Sequence, residues 1–527
     1  MGMYLNPSAA NFKEIINSKI YVDKSMMIAK VNGRINDSGR KFVCVSRARR
    51  FGKTITTNMI STYYGKWGDA HTIFDRFKIA GNSNYGQYMN QFNVIKIDLN
   101  GEYAACMHPE KFFDILNKDI VKEMQDQFPN VGIADEDSIA KAIQKVYETA
   151  GEQFIILIDE YDVFVRDDSI PQSMFGEYLK FLISLFKNDA LRPALALSYL
   201  TGILPVIKDK IQSKLNTFHP ITMLDAEEFA EFVGFTTEEV EMLCEQYGID
   251  FAECRRWYDG YNQGGIEFFN PQAVVNACLN HKFKSYWSAT SSFEAISDKL
   301  KYNFDGVKEA VIRMLSGENV KVKTDKYTNT MTDFKSCDDV LTHLIHLGYL
   351  AYDEDTHTCR IPNMEIRKEW FNAIDNDAEY AETNKVIEDS KELLEATLKG
   401  DEDAVAKALD RSHIHVCSNR SYNNEDALQS AIYLAYIYAI NKYTIIREMT
   451  TGKGFADVVL LPAFPDMAAV IIELKHNKSA ETALTQIKNK QYFASLEHFH
   501  GEVLFVGVNY DEQSKTHECR MEWFNKE

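Results

Sequence analysis

VSRARRFGKT, Val45–Thr54, ends like a phosphate-binding loop and begins differently. Such a loop commonly reads GxxxxGK[ST], with a glycine five positions ahead of the Gly-Lys pair. Gly52, Lys53 and Thr54 are kept here, while Arg47 stands at the leading-glycine position. KFVCVS (Lys41–Ser46) reads as a buried strand feeding the loop, and ITTNMISTYYGKW after it reads as a helix. Strand, loop, GKT and helix in that order are the context a phosphate loop needs. The helix N-terminus offers unpaired N–H groups and a positive dipole end to an anion. Lys53 would then reach the β/γ-phosphates and Thr54 would place its hydroxyl on Mg²⁺.

A second run supports the first. FIILIDEYD (Phe154–Asp162) carries an apolar strand into Asp159-Glu160. A buried strand delivering acids to its C-terminal edge suits Asp159 to hold Mg²⁺ and Glu160 to orient the attacking water. The alternative is a strand that ends in solvated acids. LALSYLTG (Leu195–Gly202) is a further strand ending in Thr201, which reads equally as a γ-phosphate sensor or as a capping threonine. Strand-like and helical runs alternate from residue 40 to about 205, so the expected core is a parallel α/β sheet.

YVDKS (Tyr21–Ser25), SRARRFGKT, IDEYD, TGI (Thr201–Ile203), WYDGY (Trp257–Tyr261) and FFNP (Phe268–Pro271) occur in one order. This set, over residues 10 to about 290, resembles the prokaryotic AAA-ATPase-like family. The family's loop typically reads RPRRFGKT, so the resemblance makes the missing glycine a family variant. Ala48 departs from the family's proline, which would stiffen the loop. The cofactor-binding set implied is Arg47, Arg49, Arg50, Phe51, Gly52, Lys53, Thr54, Asp159 and Thr201. The three arginines fit either neutralisation of phosphate charge, contact with a neighbouring element or DNA, or a solvated basic turn.

The 527 residues exceed one compact core, and 45% hydrophobic with 26% charged residues is ordinary globular composition. No apolar run is long enough to cross a membrane, and MGMYLNPSAANFKEII lacks a secretory pattern. Nine scattered cysteines without a CxxC suit reduced thiols in a cytoplasm. A net charge of −19 excludes a protein that coats DNA through a globally basic surface. It leaves room for local basic patches or for metal ions bridging acids to phosphate.

From about residue 220 the chain turns helical, and the resemblance to the AAA-ATPase-like family implies a helical lid over the nucleotide. TTEEVEMLCEQYG opens with a capping box at Thr236 and Glu239. Arg255 and Arg256 read as exposed helix residues or as an arginine sensor, and WYDGY with Asn270-Pro271 as an aromatic turn packed on the lid. Val340, Leu344 and Leu347 share a helix stopped by Gly348, before the short strands YLAYD and TCRIPN. That helix-plus-hairpin pattern fits a winged-helix-like module, as scaffold or as DNA binder. His343 and His346 lack a third ligand nearby and read as packing residues. The acidic stretch Asn376–Asp410 reads as connecting helices.

A second constellation lies near the C-terminus. NNEDALQSAIYLAYIYAI reads as a helix with Asn424 as N-cap and Glu425 in its first turn. TIIREMTTGKGFADVVLLP reads as two strands around a turn, the second carrying Asp457. AVIIELK (Ala469–Lys475) is an apolar strand ending in Glu473-Leu474-Lys475, and alternation puts Glu473 and Lys475 on one face. ALTQIKNKQYFASL follows as an amphipathic helix with Gln486 facing the sheet. Two carboxylates and a lysine on adjacent strands suit metal-dependent phosphodiester chemistry. An exposed Glu-x-Lys cross-pair is the plainer reading of AVIIELK. Residues 420–510 resemble the PD-(D/E)xK nuclease superfamily, with Glu425, Gly454–Asp457, Glu473–Lys475 and Gln486-Ile487 matching its motifs. The resemblance implies a metal site of Glu425, Asp457 and Glu473, with Lys475 and Gln486 joining them in catalysis. Phe455 replaces the usual arginine of the GRxD strand.

The expected fold class is α/β: a P-loop ATPase parallel sheet with helical lid and winged-helix-like module, then a restriction-endonuclease-like domain. The expected segments are 1–220, 221–300, 301–380 and 381–527. Expected ligands are ATP, Mg²⁺ (or Mn²⁺ at the second site) and nucleic acid, DNA before RNA, with no membrane. The resemblance alone suggests a role in defence or mobile-element biology. No arginine finger is assignable, which leaves open whether hydrolysis needs a homo-oligomer. Two rivals stand beside a nucleotide-gated nuclease: a nucleotide-dependent switch or assembly protein whose nuclease fold only binds, and a nucleic-acid motor.

Overall fold

The structure, a computed structural model, describes residues 2–527 apart from 168, 206–216, 288–295, 297–303, 305, 316, 326, 328–333, 376–380, 417–424, 452–453, 463–466, 491–500 and 525–527. The chain forms two compact units. One comprises Met1–Val307 with Asn319–Glu369, and the other Lys308–Glu318 with Trp370–Glu527. The lid and the helix-plus-hairpin segment thus belong to one unit with the parallel sheet, a coarser division than the four expected segments.

The first unit is built on five parallel strands: β1 Phe42–Ser46, β2 Asn93–Asp98, β3 Phe154–Asp159, β4 Leu195–Gly202 and β5 His219–Ile221. Their order is β2-β3-β4-β1-β5. FVCVS, FIILID and LALSYLTG are buried along their whole length, as strands covered by helices on both faces must be. The helices Phe112–Gln127, Ile139–Ala150 and Gln172–Phe186 supply much of that cover, with Leu116, Ile120, Ile143, Val146, Leu182 and Leu185 in the core. β4 lies between the loop strand β1 and the acid strand β3. The parallel register aligns Asp98, Asp159 and Thr201 across the carboxyl ends of three strands. The crevice outside such ends is where open α/β sheets bind ligands.

A smaller sheet, β6 Phe235–Thr236, β7 Tyr261–Gln263 and β8 Ile266–Phe269, sits among the helices Thr237–Tyr247, Phe251–Tyr258 and Pro271–Asn280. Thr236 and Glu239 form the capping box reciprocally. The aromatic turn expected at WYDGY opens a β-hairpin instead. Gly264 and Gly265 both take positive φ (57° and 80°), the backbone a two-residue hairpin turn demands. The third sheet, β9 Val320–Lys321, β10 Ala351–Asp353 and β11 Thr358–Arg360, accompanies helix Cys337–Leu347, which Gly348 ends at φ 86°. His343 and His346 are buried in that helix, His343 against the Tyr327 hydroxyl at 2.6 Å.

The second unit has one mixed sheet in sequence order: β12 Tyr443–Thr451, β13 Gly454–Pro462, β14 Ala469–His476, β15 Val503–Asp511 and β16 Thr516–Phe524. All pairs are antiparallel except β14 with β15. That parallel pair needs a crossover, and helix Ala480–Asn489 lies within it. The helix rests directly on Gly507, where a Cβ would come 2.4 Å from the Ala480 carbonyl oxygen. The expected extension of this helix to residue 496 falls outside the described residues. Helices Ala381–Lys399, Glu402–Val416 and Glu425–Ala435 contribute Leu393, Val405, Leu409, Leu428 and Ile432 to the core, with Val458 and Ile472 of the sheet.

Candidate functional sites

β1 delivers the chain to a loop that reverses at two residues with positive φ, Arg50 (71°) and Gly52 (81°). Gly52 is the left-handed N-cap of helix Lys53–Tyr64, so the helix N-terminus faces a cleft of about 740 Å³. That volume is in the range of small-molecule sites. One wall is polar, with Arg49, Lys53, Thr54, Asp159, Glu160 and Arg166. The other is largely apolar, with Ile20, Val22, Phe232, Phe235 and Val275.

Lys53 is buried, and its ammonium donates to the carbonyls of Arg47 and Ala48 at 2.9 Å each. Burial pulls its pKa down, against the opposing pull of Glu160, Asp162 and Asp159. Asp159 is buried at the end of β3. Desolvation lifts its carboxyl to about 6, a hydrogen bond with Thr54 lowers it and the neighbouring Glu160 charge raises it. Glu160 takes a left-handed backbone (φ 51°) and accepts from Arg166 Nη2 at 2.8 Å. Burial pushes this carboxyl up, but Arg166 and Lys53 hold it below the ordinary range. Four expected residues, Lys53, Thr54, Asp159 and Glu160, therefore meet in one cleft, together with Arg49, Arg50, Phe51 and Gly52. A buried Asp beside a threonine hydroxyl, under a helix N-terminus, is a donor set that fits a divalent cation with a phosphate.

Two expected residues lie elsewhere. Arg47 does not line this cleft. Its guanidinium is fully buried, donates from Nη1 to Gln263 Oε1 and stands 5.5 Å over the Phe268 ring. Burial pulls its pKa down to about 9. The position of the leading glycine is thus used to anchor the loop to hairpin β7–β8, not to meet phosphate. Phe51 reinforces the anchor, edge-on to Tyr261 and Phe268 at 5.5 and 5.9 Å. Thr201 sits beside Asp159 in the sheet, off the cleft, its buried hydroxyl without a hydrogen bond among the described residues. Arg255 pairs with Asp259 and Glu267, and Arg256 with Glu253; neither lines the cleft. Arg50 is shared: it lines the cleft and donates to the Tyr286 carbonyl at 2.8 Å.

In the second unit, Asp457 on β13 accepts the Leu474 N–H of β14 at 2.7 Å, which brings it beside Glu473. Lys475 Nζ donates to Glu473 Oε1 at 2.9 Å and to the Leu474 carbonyl at 2.8 Å. The two-residue alternation of β14 thus places Glu473 and Lys475 together, both nearly inaccessible. Gln486 Nε2 also donates to Glu473 Oε1, from helix Ala480–Asn489. Glu473 Oε2 is buried and, among the described residues, accepts no hydrogen bond. Burial and then the Asp457 charge push Glu473 up to about 7, with Lys475 opposing them. A buried carboxylate oxygen with no donor, next to a second carboxylate, is a set that a divalent cation satisfies. Among the described residues no cluster of three or more His, Cys, Asp or Glu is placed to hold a metal. Glu425 begins its helix, which Gln429 ties to β13 through the Asp457 carbonyl at 2.8 Å. The side chains of Glu425 and Phe455, and the expected cap Asn424, lie outside the described residues.

Sequence reasoning missed Arg166 and Asp98, which complete the polar wall of the cleft. Asp98 ends β2 as Asp159 ends β3. An arginine six residues past Glu160 was the available signal for Arg166, but only the turn after β3 aims it back.

Residues 8–212 match a family described as predicted AAA-ATPase, the AAA-ATPase-like family. Residues 423–520 match the PD-(D/E)XK nuclease superfamily. The chain therefore carries an AAA-ATPase-like domain at its N-terminus and a PD-(D/E)XK nuclease superfamily domain at its C-terminus. Domains of these kinds generally use nucleotide and divalent metal ions. An uncharacterized protein in the vnfD 5′ region of Azotobacter chroococcum mcd 1 is 27% identical over 163 residues. That match covers 30% of this chain and 31% of the relative's length. A solved structure of the Aeropyrum pernix ORC2 protein, in ADPNP and ADP complexes, is similar at a TM-score of 0.30 and 10% identity, covering 68% of this chain and 96% of that one. Among the described residues no helix is long and apolar enough to cross a membrane.

Proposed function

We propose that this protein is a nucleotide-gated, metal-dependent nuclease. ATP binds in the first unit, with its phosphates at the N-terminus of helix Lys53–Tyr64. Lys53 exchanges its two loop carbonyls for the β/γ-phosphates. Thr54 and Asp159 hold Mg²⁺, and Glu160 orients the water that attacks the terminal phosphate. In the second unit Asp457 and Glu473 hold Mg²⁺ or Mn²⁺, with Glu425 as a further ligand. A bound divalent ion polarises a phosphodiester and lowers the pKa of a bound water. Lys475 keeps Glu473 ionised and faces the scissile group, and Gln486 fixes the orientation of the Glu473 carboxylate. The substrate is nucleic acid, DNA before RNA, and the cellular setting is defence or mobile-element biology.

The observation that carries this reading is Glu473 Oε2, a buried carboxylate oxygen beside Asp457 with no donor to satisfy it. A cleavage assay tests it, on single- and double-stranded DNA and RNA with Mg²⁺ or Mn²⁺, with and without ATP. Cleavage by the wild type that is lost in Glu473→Ala supports the nuclease, and its loss in Lys53→Ala supports gating. A second reading is favoured by the net charge of −19 and by Phe455 where an arginine is usual. In it the protein is a nucleotide-dependent switch or assembly factor whose nuclease-like domain binds a partner. A wild type inert on every substrate, yet able to bind nucleotide, points to that reading.

A further inference from the structure

We infer that Arg166 is a ligand for the terminal phosphate, supplied by the same chain, and that it restrains Glu160 until that phosphate arrives. The inference rests on the nucleotide reading above. Arg166 ends the short helix Val163–Arg166, immediately after the acid strand, and lines the same cleft as Lys53 and Thr54. Only 14% of its side chain is exposed. A guanidinium carries five N–H donors. Among the described residues, its hydrogen bond is the one from Nη2 to Glu160 Oε2, and buried Nη1 forms none.

The nearest other acid attracts the guanidinium without hydrogen-bonding it. Asp162 lies 3.9 Å from Nη1, but its Oδ2 already accepts the N–H groups of Ile203 and Leu204 at 3.1 and 2.9 Å. That oxygen holds the chain just past β4, and 3.9 Å is beyond hydrogen-bond reach of Nη1. Arg166 also sits close enough to Lys53 to disfavour its charge. Two buried cations in one cleft, one with an unspent donor, are arranged for a shared anion. Arg and Lys bring different geometry to it, a planar fork and a point charge.

The ion pair has a second consequence. Glu160, at a left-handed backbone position, lines the cleft, and there Arg166 occupies its Oε2. The engaged oxygen is occupied by the guanidinium in place of a water. A triphosphate whose terminal group reaches Arg166 competes with Glu160 for the guanidinium and releases the carboxylate. A diphosphate lacks that group and leaves the pair closed. Because pair and loop belong to one chain, hydrolysis needs no arginine from a second copy.

The test compares wild type, Arg166→Ala and Arg166→Lys by calorimetric titration with Mg²⁺ and either ADP or the non-hydrolysable triphosphate AMP-PNP. Thermal melting of each variant is followed, and ATP turnover is measured against protein concentration. The preference for AMP-PNP over ADP is expected to fall about 10- to 100-fold in Arg166→Ala, the worth of one hydrogen bond to a charged group. ADP affinity stays within about threefold. Turnover in wild type rises in proportion to protein concentration and falls by about three orders of magnitude in Arg166→Ala, the scale of a lost arginine at this step. Arg166→Lys keeps the charge and the melting temperature, recovers part of the preference and little of the turnover. An unchanged preference in both variants overturns the inference, as does equal loss of both nucleotides in the well-folded lysine variant. Turnover that rises more steeply than protein concentration overturns supply by the same chain. A wild type that binds neither nucleotide sinks the nucleotide reading itself, whereas one that binds both with the variants unaffected sinks only the role of Arg166.

Discussion

In the first unit Glu160 is met by Arg166 at 2.8 Å and lies within the influence of Lys53, so its carboxyl is held below the ordinary range. In the second unit Glu473 has only one oxygen engaged, by Lys475 and Gln486, while burial and Asp457 push its carboxyl up to about 7. One cleft has surplus donors and suits a polyanion. The other has a surplus acceptor and suits a cation. The supports differ as well. The cleft of the first unit is lined by a loop that is braced, with Arg47 on Gln263 and Phe51 on Tyr261 and Phe268. The C-terminal site stands on adjacent strands whose ladder places its side chains directly. A loop can answer a ligand by moving its brace, whereas a strand pair holds a geometry.

The largest expected effect separates the two sites. Glu473→Gln keeps the shape and removes the charge, so cleavage should fall by about a thousandfold or more, since metal polarisation is worth several kcal/mol. Nucleotide affinity, measured by titration calorimetry, should stay within about twofold. Loss of nucleotide binding in this variant would break the separation. Next is the brace. Gly260 holds φ 110°, and a Cβ there would stand 2.1 Å from the Pro362 carbonyl oxygen. Gly260→Ala should cost about 3 kcal/mol in melting experiments, and it should weaken nucleotide binding while sparing cation binding at the Glu473 site.

Lys53→Ala is the counterpart of the glutamate variant. ATP affinity should fall about 10- to 100-fold, the worth of a hydrogen bond to a charged group, with Mn²⁺ affinity at the second site unchanged. The smallest effect concerns acid stability of the first unit. Burial lowers the His346 pKa from 6.5 to about 3. The folded state thus binds fewer protons than the unfolded one between those values. The associated stability is present above pH 6.5 and is lost as pH falls towards 3. Between pH 7 and 5 the loss is about 2 kcal/mol. His346→Phe should flatten the melting profile over that range by this amount, and an unchanged slope would refute it.

The meeting of Lys53, Thr54, Asp159 and Glu160 in one cleft, and of Asp457, Glu473 and Lys475 on adjacent strands, was legible because buried strands ending in polar residues are local, periodic patterns. The cap at Thr236 with Glu239 and the stop at Gly348 were legible for a similar reason, since each is settled within a turn of helix. Hairpin β7–β8 was hidden because its Gly264-Gly265 turn was overshadowed by the aromatic residues around it. The sequence by itself determined which residues carry charge and which strands end in acids. Tertiary structure alone decided that Arg47 turns away to Gln263, 216 residues onward, and that Arg166 turns back to Glu160. Those outcomes depend on which surfaces pack together and on a left-handed residue at a strand end. Neither is set by the pattern of neighbours along the chain, because the direction of a side chain follows from the backbone and the packing around it.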